Sequence, residues 1–480
     1  MSETLPAATK PLLVHIDMKG GPPTPRYLIQ LLSLFKTWGA SGILIEWEDM
    51  FPWDGELQVL AREGHYSREE VLLLLQAAID LELEVVPLVQ TFGHLEFVLK
   101  HPEFSQLREI PLFPNSLRPV DPDTEPGQSS GFLLVCEMVR QIINLHHPQK
   151  IHIGCDEVWY LGKGPITSVY LENKGVSVTQ LFLQHLRSVA KFASSEAPQP
   201  KVLVWDDMMR TADVDDLMIL QGLVEPVVWN YGENLQFSPG MFQRYSAVFG
   251  SSIWGGSAWR GASGSCSHST PIRYHIANHL AWLTVEEIKA GLILTGWARY
   301  DHFATHCELL PVSLPSLCCC LAVMKNGGWT SEIHSMCSKQ LMLKDQLNIE
   351  HTISAEGTEE PVFTGSRIYS LIFSYLRILS NYETIFNGTT QRTWMNPWQI
   401  KQGFLNPIQV RGFLLELKKL QFSFRALSEA FKIDVPNVLH AFTSEEWIGT
   451  NIDPKLDEIA TVLNSLRELP CLQGLQEMMK

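Results

Sequence analysis

The stretch Ile151-His152-Ile153-Gly154-Cys155-Asp156-Glu157-Val158 joins a short β-branched run to two consecutive carboxylates. A helical pattern over residues 132–146 precedes it. In a barrel of parallel strands, catalytic groups lie where the strands end, beside the loops that lead into the helices. The stretch therefore predicts a strand that presents Asp156 and Glu157 on an active-site face. The alternative is a solvated turn after an ordinary core strand.

Strand-like and helix-like segments alternate on both sides of this stretch. Continuous apolar runs, as expected of buried parallel strands, occupy residues 12–17, 42–47, 84–90, 151–158, 201–205, 224–229, 247–254 and 291–297. Helical patterns lie between them, and the one over 67–81 begins with a capping box formed by Ser67 and Glu70. Eight such units predict an α/β fold, a (β/α)8 TIM barrel over residues 1–328. Residues 329–480 contain only helical patterns and predict an α-helical C-terminal extension.

The composition limits the classes of partner and cofactor. The net charge of −15, without a basic stripe, argues against nucleic acid as a partner. The rival fold, a doubly wound open sheet, would be expected to carry a glycine-rich phosphate loop, and no GxGxxG or P-loop opens a helix. No HExxH motif or cluster of Cys and His indicates zinc. We therefore expect an enzyme without a metal or organic cofactor.

Several features predict a cytoplasmic location, with the nucleus as a second compartment. The first ten residues lack the basic and apolar segments of a secretory signal peptide. The nine cysteines form no CxxC pair, as is typical of a reducing compartment. The apolar segment 309–324 is interrupted by Pro311 and Pro315, so it predicts a buried helix and not a membrane span.

The adjacency of the two carboxylates restricts their chemistry. Their Cα atoms lie about 3.8 Å apart, and along an extended strand their side chains would diverge. A glycosidase with two catalytic carboxylates separates them by about 5–5.5 Å or 6.5–9.5 Å across the sugar. The pair instead suits hydrolysis in which one carboxylate protonates the leaving oxygen and the other supports a nucleophile supplied by the substrate.

The motif His152-x-Gly154-x-Asp156-Glu157 resembles the signature of the family 20 glycoside hydrolases, the β-N-acetylhexosaminidases. The resemblance implies that Glu157 is the general acid and later the base. It also implies that Asp156 orients the 2-acetamido group and stabilises its developing charge while an oxazoline forms. The expected activity is a retaining exo-hydrolysis that releases terminal GalNAc or GlcNAc from glycoconjugates. We also expect the Asp156 charge to raise the pKa of Glu157.

Further site residues follow from the same resemblance and from the polar residues at strand ends. A tryptophan-lined pocket would be formed by Trp205, Trp229 and Trp297, and Tyr231 would bind the acetamido carbonyl. His94 and Glu48 would support the general acid by hydrogen bonding. The strand-end acids Asp17, Asp206 and Asp301 are candidates for substrate binding. For the aromatic residues, core packing is the alternative.

Two departures from the family pattern concern the sugar hydroxyls. Lys19 stands near the first strand, where an Arg is usual, and Arg299 follows the eighth strand where an acid is common. The chain also resembles the compact hexosaminidase D subgroup, which implies a non-lysosomal location, a neutral working pH and a preference for galactosaminides. A homodimer is a further expectation, from analogy and from the C-terminal helices. Two rival functions stay open: a catalytically silent sugar-binding or scaffold protein, and a two-carboxylate glycosidase that pairs Glu157 with Asp206 or Glu225.

Overall fold

The computed structural model describes residues 10–350 and 362–467 of the 480-residue chain. The chain divides into two compact units, residues 1–350 and 351–480. The boundary predicted between residues 328 and 329 stays a prediction about where the catalytic domain ends.

The first unit is a closed barrel of eight parallel strands, which confirms the predicted TIM barrel. The ten strands of this unit are β1 (Leu12–Asp17), β2 (Gly42–Glu46), β3 (Glu84–Leu88), β4 (Arg108–Ile110), β5 (Phe113–Leu117), β6 (Lys150–His152), β7 (Lys201–Trp205), β8 (Val224–Trp229), β9 (Trp254–Arg260) and β10 (Gly291–Gly296). The barrel order is β1-β2-β3-β6-β7-β8-β9-β10, and β10 pairs with β1 to close it. Strands β4 and β5 form a separate antiparallel hairpin within the loop that follows β3.

Helices lie between the strands of the barrel, and the last two follow β10. They are α1 (Pro25–Trp38), α2 (Arg68–Asp80), α3 (Glu96–Leu99), α4 (Ser130–His146), α5 (Pro165–Lys174), α6 (Val178–Ser195), α7 (Val214–Leu217), α8 (Met241–Phe249), α9 (Ile272–Trp282), α10 (Leu310–Asn326) and α11 (Ser331–Gln340). The predicted capping box is present at α2, where Ser67 and Glu70 each bond the other's backbone N–H. Helix α10 is buried through most of its length, as predicted for the apolar segment.

Apolar side chains from nearly every strand fill the barrel interior. They are Leu13, Leu44, Val86, Leu88, Leu203, Trp205, Val227, Trp254 and Ile293, all of them buried. Replacing one such leucine with alanine typically costs about 2–5 kcal/mol, because a cavity remains. The packed interior therefore gives the loops at the carboxyl ends of the strands a rigid support.

Two segments differ from the predicted strands. Residues 247–254 were predicted as the seventh strand, but α8 covers the beginning of this range and the strand is Trp254–Arg260. The actual strand contains Gly255, Gly256 and Ser257, which lack the β-branched signal, and Gly256 lies against Trp229 of the neighbouring strand. The central stretch also leaves the strand early, since β6 ends at His152.

The second unit is helical, which confirms the predicted C-terminal helices. Its helices are α12 (Ser366–Phe386), α13 (Thr389–Thr393), α14 (Pro397–Gln402), α15 (Pro407–Asp434), α16 (Ala441–Asn451) and α17 (Asp453–Arg467). Its core includes Tyr375, Phe431 and Trp447, whose rings pack on one another. Within the residues described for both units, no helix combines the length and apolarity that a membrane crossing needs.

Candidate active site

A cavity of about 320 Å³ opens at the carboxyl ends of the barrel strands. Asp156 and Glu157 both line it, together with His94, as predicted from the sequence. Its remaining wall includes five aromatic residues, Trp205, Trp229, Tyr231, Trp297 and Tyr300. The cavity therefore combines the carboxylate pair Asp156 and Glu157 with an aromatic wall, a combination suited to binding an uncharged ring that carries polar substituents.

The backbone after β6 turns both carboxylates toward the same cavity. Gly154, Cys155 and Glu157 have φ angles of 67°, 69° and 51°, in the left-handed region that non-glycine residues rarely occupy. At Gly154 a Cβ would lie 1.9 Å from Oε1 of Gln90, so a side chain does not fit there. The expectation that the two side chains diverge along an extended strand was wrong, because the strand has ended before residue 154. A left-handed non-glycine residue costs about 1–3 kcal/mol and often marks a functional site.

His94 holds the two carboxylates together. Its Nε2 atom lies 3.2 Å from Oε2 of Glu157 and 3.5 Å from Oδ2 of Asp156. Burial opposes protonation of His94, but the Asp156 charge and the hydrogen bond to Glu157 together raise its pKa to about 10. At neutral pH the three side chains therefore form a group of one cation between two carboxyl groups.

The positive charge on His94 reverses the pKa shift that was expected for Glu157. The hydrogen bond from His94 lowers the pKa of Glu157 below its usual value. Burial instead raises the pKa of Asp156. The expectation that Asp156 raises the pKa of Glu157 was therefore wrong, because the hydrogen bond and charge of His94 outweigh the opposing effect of burial.

Asp207 is hydrogen-bonded to the backbone of Glu157, the candidate general acid. Its Oδ2 atom accepts a hydrogen bond from the backbone N–H of Glu157 at 2.9 Å, and its Oδ1 atom accepts one from Nε1 of Trp229 at 3.2 Å. Burial and the neighbouring Asp156 charge raise the pKa of Asp207 to about 7. One carboxylate thus connects the strained backbone of Glu157 to an aromatic side chain of the wall.

The aromatic wall is fixed by its own contacts. The Nε1 atom of Trp297 donates to Oη of Tyr231 at 3.2 Å, and the rings of Trp229 and Tyr231 stack at 5.2 Å. Trp205 lies 6.1 Å from Trp297, measured between ring centroids. These residues were predicted from strand ends, and the structure brings all four to one cavity.

Three predicted substrate-binding acids lie outside the cavity wall. Asp17 forms an ion pair with Lys19 at 2.9 Å and accepts from the backbone N–H of Ala298. Asp206 is buried and forms a bidentate ion pair with Arg210. Asp301 accepts hydrogen bonds from two backbone N–H groups of its own turn. Each carboxylate therefore has a role in holding a strand end or a loop.

Glu48 belongs to a charged group beside the cavity. It contacts Lys19 at 3.5 Å and is hydrogen-bonded to His302. Lys19 and Glu46 line the cavity, and Glu46 is also bonded to His15 and Gln90. The carboxylates around Lys19 raise its pKa well above the usual value despite burial.

Sequence reasoning assigned no role to Asp207 or Tyr300. Asp207 stands beside the predicted Asp206, and only its position after β7 distinguished it as a candidate. Tyr300 lines the cavity, and its Oη lies 3.4 Å from Oε2 of Glu157. Its signal in the sequence was the aromatic and charged ending of the last barrel strand. Within residues 10–350 and 362–467, no group of three or more His, Cys, Asp or Glu side chains is arranged to hold a metal ion.

Comparison with known proteins shows similarity to a glycoside hydrolase family and to named hexosaminidases. The profile described as "Glycosyl hydrolase family 20, catalytic domain" matches residues 48–240. Hexosaminidase D of Homo sapiens is 35% identical over 469 residues, which cover 95% of this chain and 94% of the human protein. Hexosaminidase D of Bos taurus is 42% identical over 331 residues, which cover 67% of this chain and 94% of the bovine protein. The solved structure of Dispersin B aligns at a TM-score of 0.47 and 12% identity, covering 66% of this chain and 99% of that chain. The similarity to the human protein therefore extends beyond the barrel into the C-terminal helices.

Proposed function

Because the chain belongs to glycoside hydrolase family 20, we propose that it is a retaining exo-β-N-acetylhexosaminidase. It would release terminal GalNAc or GlcNAc from glycoconjugates through an oxazoline intermediate. The relatives named hexosaminidase D, similar over most of the chain, support the activity. The catalytic residues and the mechanism rest on the geometry of the cavity.

The observation that carries the proposal is the arrangement of Asp156 and Glu157 around His94. Oδ2 of Asp156 lies 3.5 Å from Nε2 of His94, in ion-pair contact, whereas Oδ1 is buried and has no hydrogen-bond partner among the described residues. A buried carboxylate oxygen without a partner is costly unless a ligand satisfies it. The N–H of a 2-acetamido group is a donor of the right kind, so Asp156 would bind and orient that group.

Orientation by Asp156 would turn the acetamido carbonyl oxygen into the nucleophile. It attacks C1 while Glu157 donates a proton to the glycosidic oxygen, and the bond from C1 to that oxygen breaks. The ionised Asp156 stabilises the positive charge on the oxazolinium nitrogen. Glu157 then removes a proton from water, which opens the ring with retention. Placing nucleophile and C1 in one molecule replaces a bimolecular encounter, with effective molarities of about 10⁵–10⁸ M.

The aromatic wall would bind the sugar itself. Trp205, Trp229 and Trp297 offer apolar surface to the pyranose ring and the acetamido methyl group. Tyr231 would donate its hydroxyl hydrogen to the acetamido carbonyl oxygen. Lys19 and Arg299 line the same cavity and would contact the sugar hydroxyls.

The rival two-carboxylate mechanism has weaker support. Asp206 and Glu225, the partners considered for it, are absent from the lining, and Glu225 accepts from Trp254 Nε1 at 2.7 Å. The remaining carboxylate in the wall is Glu46, which is held by His15 at 3.0 Å and by Lys19 at 3.9 Å. Both oxygens of Glu46 thus already have partners within the protein, one of them Gln90, which makes Glu46 a weaker candidate for the nucleophile.

The proposal extends to partners and location. We propose a glycan with a terminal β-linked N-acetylhexosamine as substrate, no nucleic-acid partner, and a location in the cytoplasm or nucleus. All eight cysteines within the described part of the chain are free thiols, which is usual in a reducing compartment.

We also propose a homodimer, supported by exposed apolar residues at seven-residue spacing on α15, Ile408, Leu415 and Phe422. Analytical ultracentrifugation of the full chain measures this state.

A substrate comparison tests the function. The purified chain should hydrolyse 4-nitrophenyl N-acetyl-β-galactosaminide or the glucosaminide, and it should not hydrolyse the matching 2-hydroxy glycoside. Asp156→Asn should lower kcat for the acetamido substrate, since a neutral side chain stabilises the oxazolinium less. Equal rates on the acetamido and 2-hydroxy glycosides would refute substrate assistance, and no activity on any N-acetylhexosaminide would favour the sugar-binding alternative.

A further inference from the structure

Tyr300 reaches the general-acid candidate from the opposite side of the barrel. Glu157 follows β6, the fourth strand around the barrel, and Tyr300 follows β10, the eighth. In a closed barrel of eight strands these two positions face each other across the mouth. The distance of 3.4 Å between Tyr300 Oη and Glu157 Oε2 therefore means that the Tyr300 side chain extends over the opening.

The loop that carries Tyr300 is anchored on both sides of this residue. Arg299 donates to the carbonyl oxygen of Ala304 at 3.1 Å and lies 2.7 Å from Nε2 of His306. His302 is hydrogen-bonded to Glu48. Asp301 accepts a hydrogen bond from the backbone N–H of Phe303 and so stabilises the turn of this loop. Tyr300 is thus presented by a fixed loop, yet its side chain remains 59% exposed while it lines the cavity.

The chemistry of glycoside cleavage defines what this ring faces. Glu157 must contact the glycosidic oxygen in order to protonate it. The sugar that is released occupies the aromatic interior of the cavity, so the group on the other side of that oxygen points toward the mouth. Tyr300 contacts the same carboxylate at the mouth, which places its ring beside the departing group.

We propose that Tyr300 forms the binding site for the aglycone, the group to which the terminal sugar is attached. The ligand class is a ring with an apolar face, such as a second hexopyranose or an aryl group, stacked on the phenol ring. This inference rests on the proposed function. Binding energy from such a remote group can be used in the transition state, so the site affects kcat/KM.

Substrates that differ only in the aglycone test the inference. The full-length wild type, Tyr300→Ala, Tyr300→Phe and Phe303→Ala are assayed on the methyl glycoside, the 4-nitrophenyl glycoside and a β-linked disaccharide of one N-acetylhexosamine, with the released sugar measured in each case. Phe303 is the matched control because it lies on the same loop and is 67% exposed but does not line the cavity. Melting temperatures verify that each variant is folded.

The quantity compared is kcat/KM for the disaccharide relative to the methyl glycoside, because both have alkyl leaving groups and need protonation by Glu157. The 4-nitrophenyl glycoside, which has a better leaving group, shows separately whether loss of the Tyr300 hydroxyl weakens that protonation. In Tyr300→Ala this ratio should fall by about 2- to 12-fold, the usual range for an aromatic contact. Tyr300→Phe should keep the ratio, because it retains the ring and loses only the hydroxyl, and Phe303→Ala should keep it as well. An unchanged ratio in Tyr300→Ala, or an equal fall in Phe303→Ala, would overturn the inference alone. Failure of the wild type to hydrolyse all three substrates would overturn the proposed function and this inference with it.

Discussion

Asp207→Asn is the substitution that should reveal how the general acid is held. Asp207 accepts one hydrogen bond from the backbone N–H of Glu157 and one from the indole of Trp229. An asparagine has the same shape, but one of its two terminal atoms is an NH₂ group that cannot accept. Whichever way the amide is oriented, one donor loses its partner.

The size of the effect follows from the lost hydrogen bond. A hydrogen bond to a charged group contributes about 1.5–3 kcal/mol. About 1.4 kcal/mol in the activation barrier is a tenfold change in rate. If the bond serves mainly to position Glu157, kcat should fall by about 10- to 10²-fold. The loss should be larger for an alkyl glycoside than for a 4-nitrophenyl glycoside, since a poor leaving group depends more on protonation.

The pH profile provides an independent measurement. Asp207 has a pKa raised to about 7, so it is ionised above that pH and protonated below it. A protonated Asp207 resembles asparagine, and kcat of the wild type should therefore decrease as the pH falls through about 7. The variant should lack this decrease.

Asp206→Asn is the control, because it changes a neighbouring buried carboxylate that is bonded to Arg210. It should lower Tm without changing the alkyl-to-aryl ratio. If Asp207→Asn is folded and its kcat on the alkyl glycoside stays within twofold of the wild type, the positioning role is refuted.

Three further substitutions have defined outcomes. Glu157→Gln should lower kcat/KM by about 10²–10⁴ in a folded protein, the usual scale for a general acid, and steady-state kinetics on the alkyl glycoside measure it. His94→Asn should change the pH dependence of stability: the raised pKa of His94 stabilises the fold fully below about pH 6.5, and this contribution is lost as the pH rises toward about 10. Urea denaturation from pH 6 to pH 10 should show that decline in the wild type, and a parallel decline in the variant would contradict the assignment. Lys19→Met should destabilise the fold by about 3–5 kcal/mol, because it leaves Asp17, Glu46 and Glu48 without their shared cation. Denaturant unfolding measures this loss, and a change below about 1 kcal/mol would contradict it.

The sequence predicted the features that depend on local pattern. The strands at residues 12–17, 201–205 and 224–229 were identified within their observed bounds, because buried parallel strands are continuous apolar runs. Asp156 and Glu157 were found because the pair follows such a run. The capping box at Ser67 was equally local, since its two residues are three apart in the chain.

The features that sequence reasoning missed depend on contacts between distant loops. The bond from Tyr300 to Glu157 joins residues 143 positions apart, and the bond from Asp207 to the backbone of Glu157 joins residues 50 apart. The left-handed backbone conformation at Cys155 and Glu157 also could not be predicted from the sequence, because neither residue type favours it. The predicted direction of the Glu157 pKa shift was wrong because the shift depends on the position of His94, which belongs to another loop.

The lowered pKa of Glu157 has a consequence for the proposed mechanism, since a general acid must carry a proton when the substrate is bound. His94 stabilises the charged form of Glu157. A substrate that fills the cavity removes water from around this carboxylate, and desolvation favours its neutral form. An acetamido N–H bound to Oδ1 would at the same time stabilise the charge on Asp156 and strengthen the pairing of Asp156 with His94. Both changes move the proton toward Glu157 and the negative charge toward Asp156, where the oxazolinium cation will form. Substrate binding would therefore create the ionisation state that catalysis requires, and the free enzyme need not hold it in advance.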